Sequence, residues 1–523
     1  MTTLTVIGIF CVLALIIGVG ILSSRKVKDE KDFINGGGKA GSLLLCGAIM
    51  GSLVSSQATI GTAQLAFNYG LAAWWFTLGA GIGCLFLAVV YVRPLRRSSC
   101  MTELQVISEE YGALPGKLGS VLCSIGIFIS VLAQVVACAG LITVLFPQVS
   151  IPAAAVLSIA VMCVYVIFGG SWGAGMGGVV KLILLCIASI AGLIFVLVSS
   201  GGVSGLLGGL KHLLAGTDLG LIQKSANGLN NLNTASDVSN RFVNLIARGA
   251  AKDLGSGLSL VLGVLSTQTY AQAIWCGKSD KVSRRGALLS ACLIPPIGIA
   301  GTAIGLFMRA HYITQAEVAA LANAGLPAPQ LPVLANTIQV FPSFLLNHMP
   351  HLFAGIVLGT LFISVVGGGA GLSLGMATIM VKDIFNKITF KNSEKRRTGA
   401  PRTELLVTRC TIAGILLVSA VIAATVSDTT INDMGFLSMG LRAAVVFVPL
   451  SCALFLRGRI NQRCALLSIV ISPLAVIFGS FLNLSFDPLF LGLAVALLIC
   501  AIGYFIPRKK EAVLQGKREE ATL

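Results

Sequence analysis

Apolar residues in this chain come in runs of about twenty, without the i, i+3, i+4, i+7 stripe of a soluble helix. In order, the runs fall at roughly 4–22, 43–68, 72–92, 118–146, 151–168, 173–198, 254–275, 287–308, 352–385, 405–425, 436–456, 464–482 and 488–506. A helix of about 20 apolar residues crosses a bilayer core, and a spanning backbone must satisfy its own hydrogen bonds. The pattern predicts an all-α integral membrane protein with about thirteen transmembrane helices.

Two runs are broken by polar clusters at mid-depth. GSLVSSQ at 51–57 sets three serines and a glutamine beside Gly51, and LGVLSTQTYAQ at 262–272 holds Ser266, Thr267, Gln268, Thr269 and Gln272. A serine inside a helix can bond back to its own i−4 carbonyl. Four polar side chains within seven residues favour an interruption over a tolerated polar face. The two clusters lie five spans apart, the layout of carriers built from two inverted five-helix repeats, each with its first helix broken at the midplane. One membrane transport domain is expected: an extra N-terminal helix 4–22, a first repeat 43–198, a second repeat 254–456, C-terminal helices 464–506 and a basic tail 507–523.

Composition agrees, with 56% hydrophobic and 11% charged residues in 523 and a mean hydropathy of +0.92. The formal charge of +17 needs no nucleic acid. With the N-terminus outside, most Lys and Arg, including RRSSC, SDKVSRRG, NSEKRRTGAPR, RGRINQR and the tail, fall on the cytoplasmic side facing anionic lipid. The expectation is a multi-pass protein of the inner (cytoplasmic) membrane, its C-terminus cytoplasmic. Inside segments are too short for an appended soluble domain, which argues against a sensor, and no obligate protein partner is evident. The fourteen cysteines are scattered singly, and the four histidines at 212, 311, 348 and 351 stand in or beside outer loops. No metal, cofactor or catalytic constellation emerges, so an enzyme is not expected.

The stretches DFINGGGKAG (32–41), ATIGTAQLAFNYGLAAWW (58–75), QAIWCGKSDKVSRRGALLSA (272–291) and TIMVKDIFNKI (378–388) resemble, in order, the motifs of the sodium:solute symporter family. The resemblance covers nearly the whole chain and implies the leucine-transporter fold with an extra N-terminal helix, and alternating access to a central site. It implies a sodium site built from the carbonyls of Gly51, Val54 and Ser364 and a hydroxyl pair at positions 367 and 368. Here those positions are Gly367 and Gly368. The Asp that the family would place in the sixth span is Gly178, and the polar residue before Val54 is Leu53.

Within MGGVVKLILL (176–185), Lys181 stands one turn from Gly178. Its ammonium is expected either where the metal would sit, on the freed carbonyls of the second span, or at the headgroups, reached by snorkelling over about 12 Å. The coupling ion stays open between Na+ and H+. A small polar organic solute is expected between the breaks, lined by Ser55, Ser56, Gln57, Thr267, Gln268 and Gln272; Leu53 and Leu260, where sugar-carrying relatives present Asn, count against a hexose. Arg409 and Arg442 are expected to snorkel, Trp74 and Trp75 to sit in the interfacial belt, and Pro295 and Pro296 to bend their span.

Overall fold

The computed structural model describes residues 2–24, 38–221, 232–385, 400–425 and 431–506, apart from 99, 147, 483 and 485. The basic tail 507–523 and most of 32–41 lie outside the described residues. The chain is almost entirely helical: α1 Thr3–Ser24, α2 Ser42–Leu53, α3 Thr62–Tyr69, α4 Trp75–Phe86, α5 Val92–Arg97, α6 Glu103–Tyr111, α7 Ala113–Leu145 and α8 Ile151–Ser199 form the first half. The second half holds α9 Gly202–Leu214, α10 Ala235–Phe242, α11 Ala250–Val264, α12 Gln268–Cys276, α13 Asp280–His311, α14 Gln315–Asn323, α15 Val340–His348, α16 His351–Ile379, α17 Ala400–Ala423, α18 Ile431–Arg442, α19 Val448–Phe455, α20 Gln462–Phe481 and α21 Pro488–Phe505. Among the described residues nine helices are long and apolar enough to cross a membrane, and Thr3–Ile16, Ser42–Leu53 and Ile151–Val166 are shorter apolar ones.

Both expected interruptions are present. Helix α2 stops at Leu53, Val54 leaves the helical region at φ −86, ψ 80, and the chain resumes through a π turn at Gln57–Gly61 into α3. Helix α11 stops at Val264, and Thr267 is extended at φ −117, ψ 114 before α12 begins. The predicted spans 151–168 and 173–198 form a single helical element of 49 residues. Straight, it would measure about 73 Å, over twice a bilayer core of about 30 Å. Yet the Tyr165 hydroxyl sits against Gly177, twelve residues on and about 18 Å away along a straight helix. The element is therefore not one straight rod: its direction reverses between the apolar helices Ile151–Val166 and Gly175–Ser199, as the two predicted spans require.

Glycine sets how closely these helices approach. A Cβ on Gly47 of α2 would meet the Gly175 oxygen and the Val179 nitrogen of α8 at 2.6 and 2.8 Å, and one on Gly178 would fall on the Gly47 oxygen. On the outward face of α8, Ile183, Ile187, Ile190, Ile194 and Val198 form an exposed stripe, a surface suited to lipid and not to water. The long loops carry α9, α10, α14 and α15, opened by capping boxes at Thr234–Asp237 and Thr314–Glu317. A short parallel pair, Ile313–Thr314 with Val333–Leu334, completes that layer.

Candidate functional site

The site is built around the two breaks. A helix that stops at mid-depth leaves main-chain groups without partners, and in lipid each must find one. At the first break the Lys181 side chain, 3% exposed, donates from Nζ to the Gly51 oxygen at 2.7 Å and the Ser364 oxygen at 3.2 Å. It does not snorkel. The Gly47–Gly178 contact explains the reach: it brings α8 against α2 one turn before both Lys181 and Gly51. Val54, the third expected carbonyl, is not among the partners of Lys181. Gly368 has no room for a side chain, since a Cβ there would meet Ser55, whereas a Cβ on Gly367 would find its nearest atoms at 3.7 Å (Tyr165 Oη) and 3.8 Å (Gly51 oxygen).

These residues do not fit sodium. Two of the three carbonyls it would need, those of Gly51 and Ser364, already accept from Lys181, no hydroxyl stands at 367 or 368, and a second cation beside a protonated Lys181 would be repelled in a low dielectric.

Gln134 of α7 also engages this break. Its Oε1 accepts from the Ser56 N–H at 3.2 Å and the Ser56 hydroxyl at 2.7 Å, and its Nε2 donates to Ser55 Oγ at 3.0 Å. A lone amide within FISVLAQVVACAG was the signal that could have identified it, because amides at membrane depth are costly unless bonded. Gln57 turns the other way, with Nε2 against Gly435 of α18.

At the second break Arg442 is fully buried, not snorkelled. Its Nη1 donates to Thr267 Oγ1 at 2.8 Å, Nη2 to Ser130 Oγ at 3.1 Å and Ser438 Oγ at 2.9 Å, and Nε to the Ser438 oxygen at 3.0 Å. Gln268 does not face Gln57. Its Nε2 donates to the Met101 oxygen at 2.8 Å and its Oε1 accepts from the Glu103 N–H at 3.0 Å, tying α12 to α6. Thr102, next to Glu103, donates to Asp383 at 2.9 and 3.1 Å. Burial pushes the Glu103 carboxyl well above its ordinary range, opposed by Arg442.

Gln272 lines a crevice with Ser52, Thr269, Cys276 and Gly371; at about 20 Å³ it has room for roughly one water. A solute reaches the breaks only if the helices part. Trp74 and Trp75 point inward, donating to the Pro295 oxygen at 2.9 Å and the Leu245 oxygen at 2.7 Å, so they join the helix layers and loops and do not form a lipid-facing belt.

Two half-helix pairs facing one interior, closed on the α6 side by side-chain ties and on the other by loop helices, define a secondary active transporter. The sequence profile of the sodium:solute symporter family matches residues 33–472. The chain belongs to the sodium:solute symporter family and is a secondary active symporter. It is similar to the sodium/sialic acid symporter NanT of Aliivibrio fischeri, 22% identical over 512 residues, covering 96% of this chain and 92% of that protein. Its fold matches the substrate-bound outward-open state of a Na+-coupled sialic acid symporter with a TM-score of 0.72 at 17% identity, over 98% of this chain and 100% of that one. It also matches a nucleobase-cation-symport-1 family transporter in a closed conformation with bromovinylhydantoin bound, at a TM-score of 0.53, 11% identity, and 93% and 97% coverage.

Proposed function

We propose that this protein carries a small polar organic solute of the sialic acid type across the cytoplasmic membrane, with the Lys181 ammonium in place of the sodium ion at the first break. The observation that carries the reading is the pair of bonds from Lys181 Nζ to Gly51 and Ser364, two of the three carbonyl oxygens that the family's sodium site would use. An amine differs from a metal ion in one respect that matters for coupling: it takes up and releases a proton without leaving the site. Protonated, Lys181 bridges α2 to α16 and holds the first break closed. Deprotonated, it keeps at most a weak interaction with two acceptors, and α2 is free to move. This supports proton coupling as the alternative to the sodium coupling of the relatives.

Uptake into proteoliposomes tests it. With choline in place of sodium, uptake is expected to persist, to follow an imposed pH gradient and to lose that dependence in Lys181→Ala. Strict sodium dependence that survives Lys181→Ala would overturn the reading.

A further inference from the structure

The two buried cations hold equivalent places in the inverted repeat. Lys181 stands on the fifth span of the first repeat and binds the break of that repeat's first helix, at Gly51, together with the third span of the other repeat, at Ser364 of α16. Arg442 stands on the fifth span of the second repeat and binds the break of that repeat's first helix, at Thr267, together with the third span of the other repeat, at Ser130 of α7. Each cation thus spans its own broken helix and the opposite half. The Arg442 place is the repeat-related image of the ion place.

Every oxygen bonded to either cation is neutral. Among the described residues no carboxylate oxygen comes within 4.0 Å of Lys181 Nζ or the Arg442 guanidinium. Glu103 is the acid whose field reaches Arg442. Its Oε2 is buried without a hydrogen-bond partner, and burial disfavours its charged form. The Arg442 guanidinium, joined by Lys181 whenever that amine is protonated, is satisfied by hydrogen bonds but not balanced in charge, and in a low-dielectric interior it leaves a net positive potential between the breaks. A neutral solute gains nothing from that potential, and a cation is repelled by it. A solute bearing a carboxylate lowers the cost of closing the helices around it.

We infer that Arg442 is a second built-in cation, the repeat-related partner of Lys181, and that it makes this carrier select an anionic solute through a carboxylate group. The inference rests on the carrier reading and deepens it, and it holds whichever ion drives transport. Thr267 is the relay. Its hydroxyl accepts from Arg442 and sits at the extended residue where the second helix is open, so guanidinium and solute meet at the same turn.

The test uses purified full-length protein and four probes: sialic acid and its uncharged methyl ester, lactate and lactamide. Half-saturating concentrations are read from ligand-induced shifts in melting temperature. The wild type should favour at least one acid over its uncharged counterpart on the order of tenfold, as for a charge-assisted contact. In Arg442→Gln that ratio should fall toward one, and in Arg442→Lys, which keeps the charge, it should largely persist. Arg442→Lys also controls for folding, alongside monodisperse elution of both variants. An unchanged acid preference in Arg442→Gln overturns the inference, as does wild-type stabilisation by neither acid. A preference that appears only with chloride present, lost on replacing it with gluconate, places the negative charge on an inorganic co-ion and also overturns it. Failure of the Lys181 reading is separate: it shows as strict sodium dependence of uptake and leaves the acid-to-ester ratio untouched.

Discussion

Lys181 makes two hydrogen bonds and, among the described residues, no ion pair, so its presence is a cost to folding that function must require. Removing the ammonium relieves a desolvation penalty of several kcal/mol for a buried ion, which offsets the roughly 1–3 kcal/mol for each of the Gly51 and Ser364 carbonyls left without its donor. Lys181→Met is therefore expected to melt no lower than the wild type while losing coupled uptake; a structural lysine would give the reverse, a drop in melting temperature with uptake retained. Glycines 367 and 368 separate just as sharply. A Cβ on Gly367 meets nothing closer than 3.7 Å, whereas one on Gly368 meets Ser55. In a Lys181→Ala background, Gly367→Ser should restore sodium-dependent uptake by returning a hydroxyl next to freed carbonyls, and Gly368→Ser should not; equal behaviour of the two would sink this account of the site. Lys181 was legible in the sequence as a charge one turn from an expected ligand position. Arg442 was misplaced because depth was measured from a predicted span starting at 436. Helix α18 begins at Ile431, which sets Arg442 about 16 Å in at 1.5 Å per residue, beyond the reach of a snorkelling side chain.

At the scale of elements, both breaks were legible as polarity, because hydroxyls and amides clustered at mid-depth are costly in an unbroken helix surrounded by lipid. The direction of the residues after each break was not. Thr267 is extended, so the helical period that fixes side-chain direction restarts with an unknown rotation, and Gln268 emerges facing α6 and not Gln57. The reversal inside α8 was legible, because 151–168 and 173–198 already read as two separate spans, and the structure sets Tyr165 against Gly177 across it. Helix α7 joins the two breaks from one face: Gln134 bonds the first and Ser130, one turn earlier, bonds Arg442 at the second. Gln134→Leu removes the acceptor of the Ser56 N–H and hydroxyl and strands them in an apolar setting, at a cost of about 1–3 kcal/mol per buried unsatisfied group. A melting temperature lowered by several degrees is expected, with a larger loss of uptake than of expression. Unchanged stability would show that the first break holds itself open without α7.

Across the whole molecule, transport requires the α6 side to open, and the structure identifies what holds it shut. Gln268 ties α12 to α6 by two hydrogen bonds, Thr102 ties α6 to Asp383 beyond α16, and Arg96 bonds Asp280 at 2.7 Å across α5 and α13. These ties are polar and few, while the surrounding contacts are apolar and extensive, so the equilibrium between closed and open forms depends on a small number of bonds. Cys276 lines the crevice behind Gln268 and is 6% exposed, which makes its thiol a reporter of opening. Gln268→Ala removes two bonds, together about 1–3 kcal/mol, and should raise the open population roughly 5- to 150-fold. The rate of Cys276 alkylation by a membrane-impermeant maleimide should rise by that order, read as the difference from Cys276→Ser in the same background so that the other cysteines cancel. The rise should occur only when reagent is applied on the α6 side, and saturating solute on the opposite side should suppress it, because a solute held between the breaks favours the form that encloses it. A rate unaffected by Gln268→Ala, or increased equally from both sides, would mean that the bond between α12 and α6 is ordinary packing and that the gate lies elsewhere.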